Sequence, residues 1–90
     1  MEDSIMWQVY IVRCCDRTLY TGITTDLKRR LAEHNSDRVG AKYTRTRRPV
    51  GLVYAEKAVS RSVAAQREFQ IKQMSRAMKK KLIEDFIAAP

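Results

Sequence analysis

Apolar and polar positions along this chain follow two different periods. Residues 5–14, IMWQVYIVRC, are rich in β-branched and aromatic side chains and predict a strand. Residues 18–24, TLYTGIT, predict a second, and the link Cys15-Asp16-Arg17 is short enough for a hairpin. A three-residue loop pairs Cys14 with Thr18, Val12 with Tyr20 and Tyr10 with Gly22, which places both tyrosines on one face. A two-residue loop would place them on opposite faces. Gly22, having no side chain, is expected to leave open space beside both phenols. The period then becomes helical. Leu27, Arg30, Leu31 and His34 fall at i, i+3, i+4 and i+7 and share one face of a helix over 26–35. Thr25 is the expected N-cap, and Asp26 suits the positive end of the helix dipole. Residues 36–49 hold turn residues and cations without a period and predict a loop. After Pro49, residues 50–58 alternate well enough for a third strand. Ser60 is placed to cap a helix over 61–74, with Val63, Ala64, Ile71 and Met74 inward and Ala65 and Phe69 at the stripe's edge. Ser75 is placed to cap a last helix over 76–88, with Met78, Leu82, Phe86 and Ile87 inward.

The order ββαβαα describes one α/β domain of the α+β kind over 1–90: a three-stranded sheet covered by helices, without a Rossmann crossover. A ninety-residue chain buries only about 60–65% of the surface its unfolded form exposes, so function is expected at or near the surface. The longest N-terminal apolar run, IMWQVYIV, is too short to span a bilayer and lacks a signal peptide's basic start, which predicts a cytoplasmic protein. Cys14 and Cys15 are adjacent, poorly placed to bridge each other, and cannot complete a zinc site with one histidine.

Charge changes the picture. Eighteen Lys and Arg against ten Asp and Glu leave a net +8, unevenly spread. From Arg38 to Ala55 there are five cations and no acid, and from Lys72 to Lys81 five more. That balance points to a polyanionic partner, nucleic acid before an anionic membrane surface.

Within this frame three features could carry chemistry. Arg30 and His34 sit on the leucine face of their helix. The bland reading lays the Arg30 stem over Leu27 and Leu31 with its head in water and leaves His34 at the helix end, favoured by the dipole. The chemical reading makes them a phosphate-binding pair, a guanidinium forking onto phosphate oxygens beside a proton shuttle. Tyr10 and Tyr20 share a strand face. A phenol ionises near pH ~10, so it is a poor base unless a cation such as Arg30 stabilises its anion. Glu68 has apolar flanks and is expected to be paired, for example with Lys72 at i+4, or metal-bound. Glu56 is a second acid within reach of the sheet, and spacing does not choose between them.

Taken together, these residues resemble a GIY-YIG nuclease domain over nearly the whole chain. The first eponymous tripeptide reads Gln8-Val9-Tyr10 and the second Tyr20-Thr21-Gly22. The helix Asp26-Leu27-Lys28-Arg29-Arg30-Leu31 continues to His34-Asn35, and SVAAQREFQIKQ carries the glutamate at Glu68. The GAKYTRTRRP stretch is most similar to small stand-alone bacterial members of the UPF0213 type, which resemble the catalytic domain of Slx1-type structure-selective nucleases. The departures are Gln8 where many members have glycine, Ile23 where the excision-repair members have lysine, and no asparagine downstream of Glu68.

The resemblance implies a three-stranded antiparallel sheet and a one-metal endonuclease acting on DNA, branched or damaged substrates included, in repair or recombination. It implies Tyr20, relayed through Tyr10 or His34, as the group that takes a proton from water, which of the three is the base staying open. Arg30 binds the scissile phosphate, and Glu68 holds Mg²⁺ or Mn²⁺ at the leaving 3′-oxygen. Arg13, Arg29, Lys42, Arg45, Arg47 and Arg48 are candidates for backbone contact. With no second DNA-binding domain attached, substrate choice is expected from loops or from an accessory protein. The opposing reading is a non-catalytic nucleic-acid-binding module on the same fold. A membrane-surface helix is disfavoured because the small core is expected to need Leu82 and Phe86.

Overall fold

A computed structural model describes residues 6–36 and 42–89. Seven elements follow in chain order: β1 (Trp7–Arg13), β2 (Leu19–Thr24), α1 (Leu27–His34), α2 (Lys42–Arg45), β3 (Gly51–Ala58), α3 (Arg61–Gln73) and α4 (Arg76–Ala88). The expected order ββαβαα holds, with one addition: the stretch read as loop contains the single turn α2. Helical periodicity cannot declare itself over four residues. The sheet is antiparallel in the order β2-β1-β3.

The hairpin between β1 and β2 has the three-residue loop. Tyr10 pairs with Gly22 and Val12 with Tyr20, and the Cys14 amide donates to the Thr18 carbonyl at 2.8 Å. The loop closes through the Arg17 amide on the Cys14 carbonyl at 2.9 Å, with Arg17 itself left-handed at φ 70°. A turn followed by a left-handed residue is a common three-residue hairpin link. Asp16 anchors it by accepting from the Thr18 amide and hydroxyl.

Strand alternation divides the interior in two. Val9, Ile11, Val53, Tyr54 and Ala58 face Ala64, Ile71 and Ile83 of α3 and α4. Tyr10, Val12, Cys14 and Val50 form the second cluster, against which Tyr20, Leu27 and Leu31 pack. Consecutive residues of β1 therefore serve opposite faces. A register shift between Ile11 and Val12 against β3 lets the neighbours Val53 and Tyr54 join the same cluster.

Several expectations are corrected. Asp26 is the N-cap of α1, accepting from the Arg29 amide at 3.0 Å; Thr25 is exposed. The alternatives differ by one residue, and the carboxylate takes the position whose backbone is extended. Of the α3 stripe, Ala64 and Ile71 are buried and Met74 partly so, while Val63 and Phe69 are exposed, Phe69 by 65%. On α4, Ile83 is the buried residue and Leu82 is partly buried. Met78, Phe86 and Ile87 are exposed, because α4 crosses a three-stranded sheet too narrow to cover its full apolar arc. Phe86 still lays its ring against Tyr54 of the core, centroids 5.4 Å apart, so it is only partly available to a membrane surface. Among the described residues no helix is long and apolar enough to cross a membrane. Ser60 and Ser75 cap α3 and α4 as expected, accepting from Val63 and Met78.

Candidate active site

The second face of the sheet brings β1, β2, α1 and α2 to one cluster. Tyr10 points from the middle of β1, only 2% exposed, and its hydroxyl lies 2.7 Å from His34 Nε2. His34 closes α1 with 0% exposure, and its Nδ1 lies 2.9 Å from Thr44 Oγ1 of α2. Thr44 is also fully buried. The ring of Tyr20 meets the same imidazole edge-on, centroids 5.2 Å apart. The bland reading of His34 is therefore corrected: the ring is sealed in by both tyrosines and Thr44, where it is desolvated instead of capping a helix in water.

Gly22 is the backbone condition for this arrangement. A Cβ there would stand 2.6 Å from Tyr10 Oη and 2.8 Å from its Cζ. The space expected beside the phenols is thus filled by the Tyr10 ring itself, which lies across its strand partner.

Arg30, half-buried, hydrogen-bonds Tyr10 and holds Glu33 at 2.8 Å. A guanidinium only donates, so Tyr10 Oη accepts from Arg30 and turns its own proton toward His34 Nε2. His34 then carries its proton on Nδ1 and donates it to Thr44 Oγ1. Electrostatics agree with this order. Burial pushes the Tyr10 phenol above its ordinary value. Arg30 opposes that shift, the Tyr20 and Glu68 charges add to it, and burial wins. Burial, with help from the Arg30 charge, pushes His34 below its ordinary value and keeps the imidazole neutral. Arg30 eases ionisation of Tyr10 as expected, but desolvation outweighs the cation and the net shift is upward.

Glu68 lies on α3, which packs against β1 and β2. Its side chain is 24% exposed, its Oε2 is 3.3 Å from Lys72 Nζ, and its charge is felt at Tyr10. Glu56 is committed elsewhere, accepting from Arg67 and from the Tyr54 hydroxyl. Both acids are thus ion-paired, Glu56 to Arg67 and Glu68 to Lys72. No three His, Cys, Asp or Glu side chains converge among the described residues. One carboxylate does not suit zinc, but it fits a hard cation that keeps most of its waters.

The basic candidates divide. Arg29 and Arg45 are exposed, Arg29 beside Glu33 at 3.6 Å. Arg47 pairs with Asp16 at 3.1 Å, and Arg48 donates to the Arg45 carbonyl. The side chain of Lys42 lies outside the described residues. Arg13 points to the other face of the sheet, beside Leu19 and Ile83. Two structural partners escape a sequence reading. Thr44 sits in a segment without period. Asn35, just past α1, donates to the Val50 carbonyl and accepts from its amide at 2.8 Å, tying α1 to the start of β3. Neither carries a local signal, because each partner is distant in the chain.

Residues 6–81 match the GIY-YIG catalytic domain. A UPF0213 protein of Desulfotalea psychrophila is 56% identical over 82 residues, covering 91% of this chain and 74% of its own. A UPF0213 protein of Syntrophus aciditrophicus is 57% identical over 76 residues, covering 84% and 87%. Among solved structures, an E. faecalis protein superposes with TM-score 0.64 at 38% identity over 100% of this chain and 95% of that one. The UPF0213 protein of Bacillus halodurans gives 0.56 at 42% over 88% and 83%.

Proposed function

Since the chain belongs to the GIY-YIG catalytic-domain family, a family of nucleases, we propose that it is a metal-dependent endonuclease hydrolysing phosphodiester bonds of DNA, with branched or damaged DNA in repair or recombination as its setting. One observation supports this most: the bonded series Arg30, Tyr10, His34, Thr44 beside a half-exposed Tyr20, with the Glu68 charge acting on the same phenol.

The roles follow from exposure. His34 and Tyr10 are sealed from solvent, so neither meets a water directly. Tyr20 is the phenol at the surface and takes the proton from the attacking water. The Tyr10–His34 pair beneath it fixes the Tyr20 ring and ends a relay: as Tyr20 takes the water proton it hands its own to Tyr10, whose proton passes to the neutral His34 Nε2. Arg30 keeps Glu33 and Tyr10 as partners and, with five donors in a planar fork, still grips a phosphate oxygen as its negative charge grows. Glu68 is the residue that would hold Mg²⁺ or Mn²⁺, which when bound stabilises the leaving 3′-oxygen. Arg29, Arg45 and Arg48 lie along α1, α2 and the segment after it, and contact the backbone without reading sequence.

The second reading, a binding module, has an observation of its own: Glu68 is already paired with Lys72 and Arg30 with Glu33. One experiment separates the two. Wild type and Glu68→Ala are incubated with plain, flapped and branched duplexes in Mg²⁺ or EDTA. Nicking that needs the metal and falls by at least about 100-fold in the variant supports the enzyme. Equal binding by both proteins with no nicking by either supports the module.

A further inference from the structure

Across the sheet from Tyr10, a cavity of about 490 Å³ opens between the hairpin loop and α4, lined by Arg13, Arg17, Leu19, Arg76, Lys80 and Ile83. Its composition is unusual for this protein. Four cations converge on it and no acid lines it. Six cations elsewhere, Arg29, Arg30, Arg47, Arg67, Lys72 and Lys81, each have a carboxylate partner, and those without one, such as Lys28 and Lys57, do not line this hollow. Among the described residues none of the four cavity cations has one. Arg76 and Lys80 stand one turn apart on α4, and Arg76 is its first residue, where the helix dipole adds positive potential. Arg76 Nη2 donates to the Arg17 carbonyl at 3.4 Å, which joins the loop to the helix. Arg17 holds a left-handed backbone, φ 70°, where glycine would be unstrained. All four are exposed and screened by water, yet together they give the hollow a positive potential that attracts an anion.

We propose that this cavity binds one nucleotide unit. Its phosphate lies among Arg13, Arg17, Arg76 and Lys80, and its apolar face rests on Leu19 and Ile83. The volume falls in the range of small-ligand sites, about 300–1,000 Å³, and far exceeds what a bare phosphate needs. The cations account for the phosphate, and the two aliphatic side chains account for the rest of the ligand. A free nucleotide and a nucleotide within a strand present the same chemistry here. Because Tyr10, Tyr20, Arg30, His34 and Glu68 are all absent from its lining, the cavity is distinct from the proposed active site and holds whether or not the chain cleaves DNA.

The test is an amide NMR titration of the whole chain with inorganic phosphate, dAMP and a short 5′-phosphorylated thymidine strand. Wild type is compared with Arg17→Gly, with Arg76→Gln combined with Lys80→Gln, and with Lys80→Arg. Shifts are expected at Arg17, Leu19, Arg76 and Lys80. Arg17→Gly relieves the left-handed backbone, so it should keep or raise the melting temperature while weakening dAMP by roughly 3-fold or more. The double variant should lose about 10-fold or more, and Lys80→Arg should bind like wild type. Tighter binding of the strand than of dAMP assigns the site to nucleic acid, and the reverse order assigns it to a free nucleotide. The assignment is overturned by phosphate binding as tightly as both, by shifts confined to the Tyr20 and Arg30 face, or by a folded double variant of unchanged affinity.

Discussion

At the residue scale the decisive pair is Tyr10 and His34. Each would be costly to bury alone, and together with Arg30 and Thr44 they satisfy one another. Tyr10→Phe removes the hydroxyl and leaves a buried ring nitrogen without its partner, so chemical denaturation should report a loss of about 1–3 kcal/mol. His34 also sets a pH dependence. Burial lowers its pKa in the folded chain, so below the ordinary value of about 6.5 the unfolded chain binds a proton that the folded chain refuses. Stability is therefore full above that pH and falls as pH drops below it, with a slope of at most about 1.4 kcal/mol per pH unit for one proton. Urea midpoints from pH 7 to pH 5 should show this slope in the wild type and lose it in His34→Gln, since the chain has one histidine.

Two local devices at the element scale hold the site. Gly22→Ala drives a Cβ into the Tyr10 ring, which is packed against α1 and cannot retreat freely. The expected cost is about 1–3 kcal/mol, measured by denaturation, with a matching loss of nicking as Tyr10 leaves His34. Asp26→Ala removes the N-cap of the helix carrying Arg30 and His34 and should cost about 1 kcal/mol. The exposed Thr25→Ala should stay within about 0.5 kcal/mol, and equal losses in the two variants would return the cap to Thr25. Much of this scale was legible beforehand. The hairpin register follows from loop length, because strand side chains alternate strictly, and so the shared face of Tyr10 and Tyr20 could be derived. The helix stripes were less legible. Phe69, Met78 and Ile87 have the spacing of core residues yet lie in solvent, because periodicity states which residues share a face and not how wide the facing surface is.

For the whole molecule, the excess of cations is divided between two faces of one thin sheet. Arg29, Arg45 and Arg48 accompany the Tyr10 face, while Arg13, Arg17, Arg76 and Lys80 surround the opposite cavity. DNA affinity should fall steeply with salt. Each phosphate contact removed by substitution should lower the log–log slope by about 0.9, as measured by anisotropy in EDTA. Removing the divalent cation should abolish nicking and leave that binding curve nearly unchanged, since the cation is assigned to the leaving oxygen and the basic side chains to the backbone.

The one-dimensional pattern alone determined the element order, the hairpin register, the basic character, and the shared faces of Tyr10 with Tyr20 and of Arg30 with His34, while Glu68 entered through the family resemblance. These depend on local periods, on strand alternation and on residue chemistry. Only the folded chain decided that Glu56 is held by Arg67 and Tyr54, that Thr44 and Asn35 are partners, and that burial overrides Arg30 at the phenol. It also decided that four cations enclose a hollow behind the sheet. Each of these depends on a distance between residues far apart in sequence, or on the solvent excluded when they meet, and no local pattern encodes either.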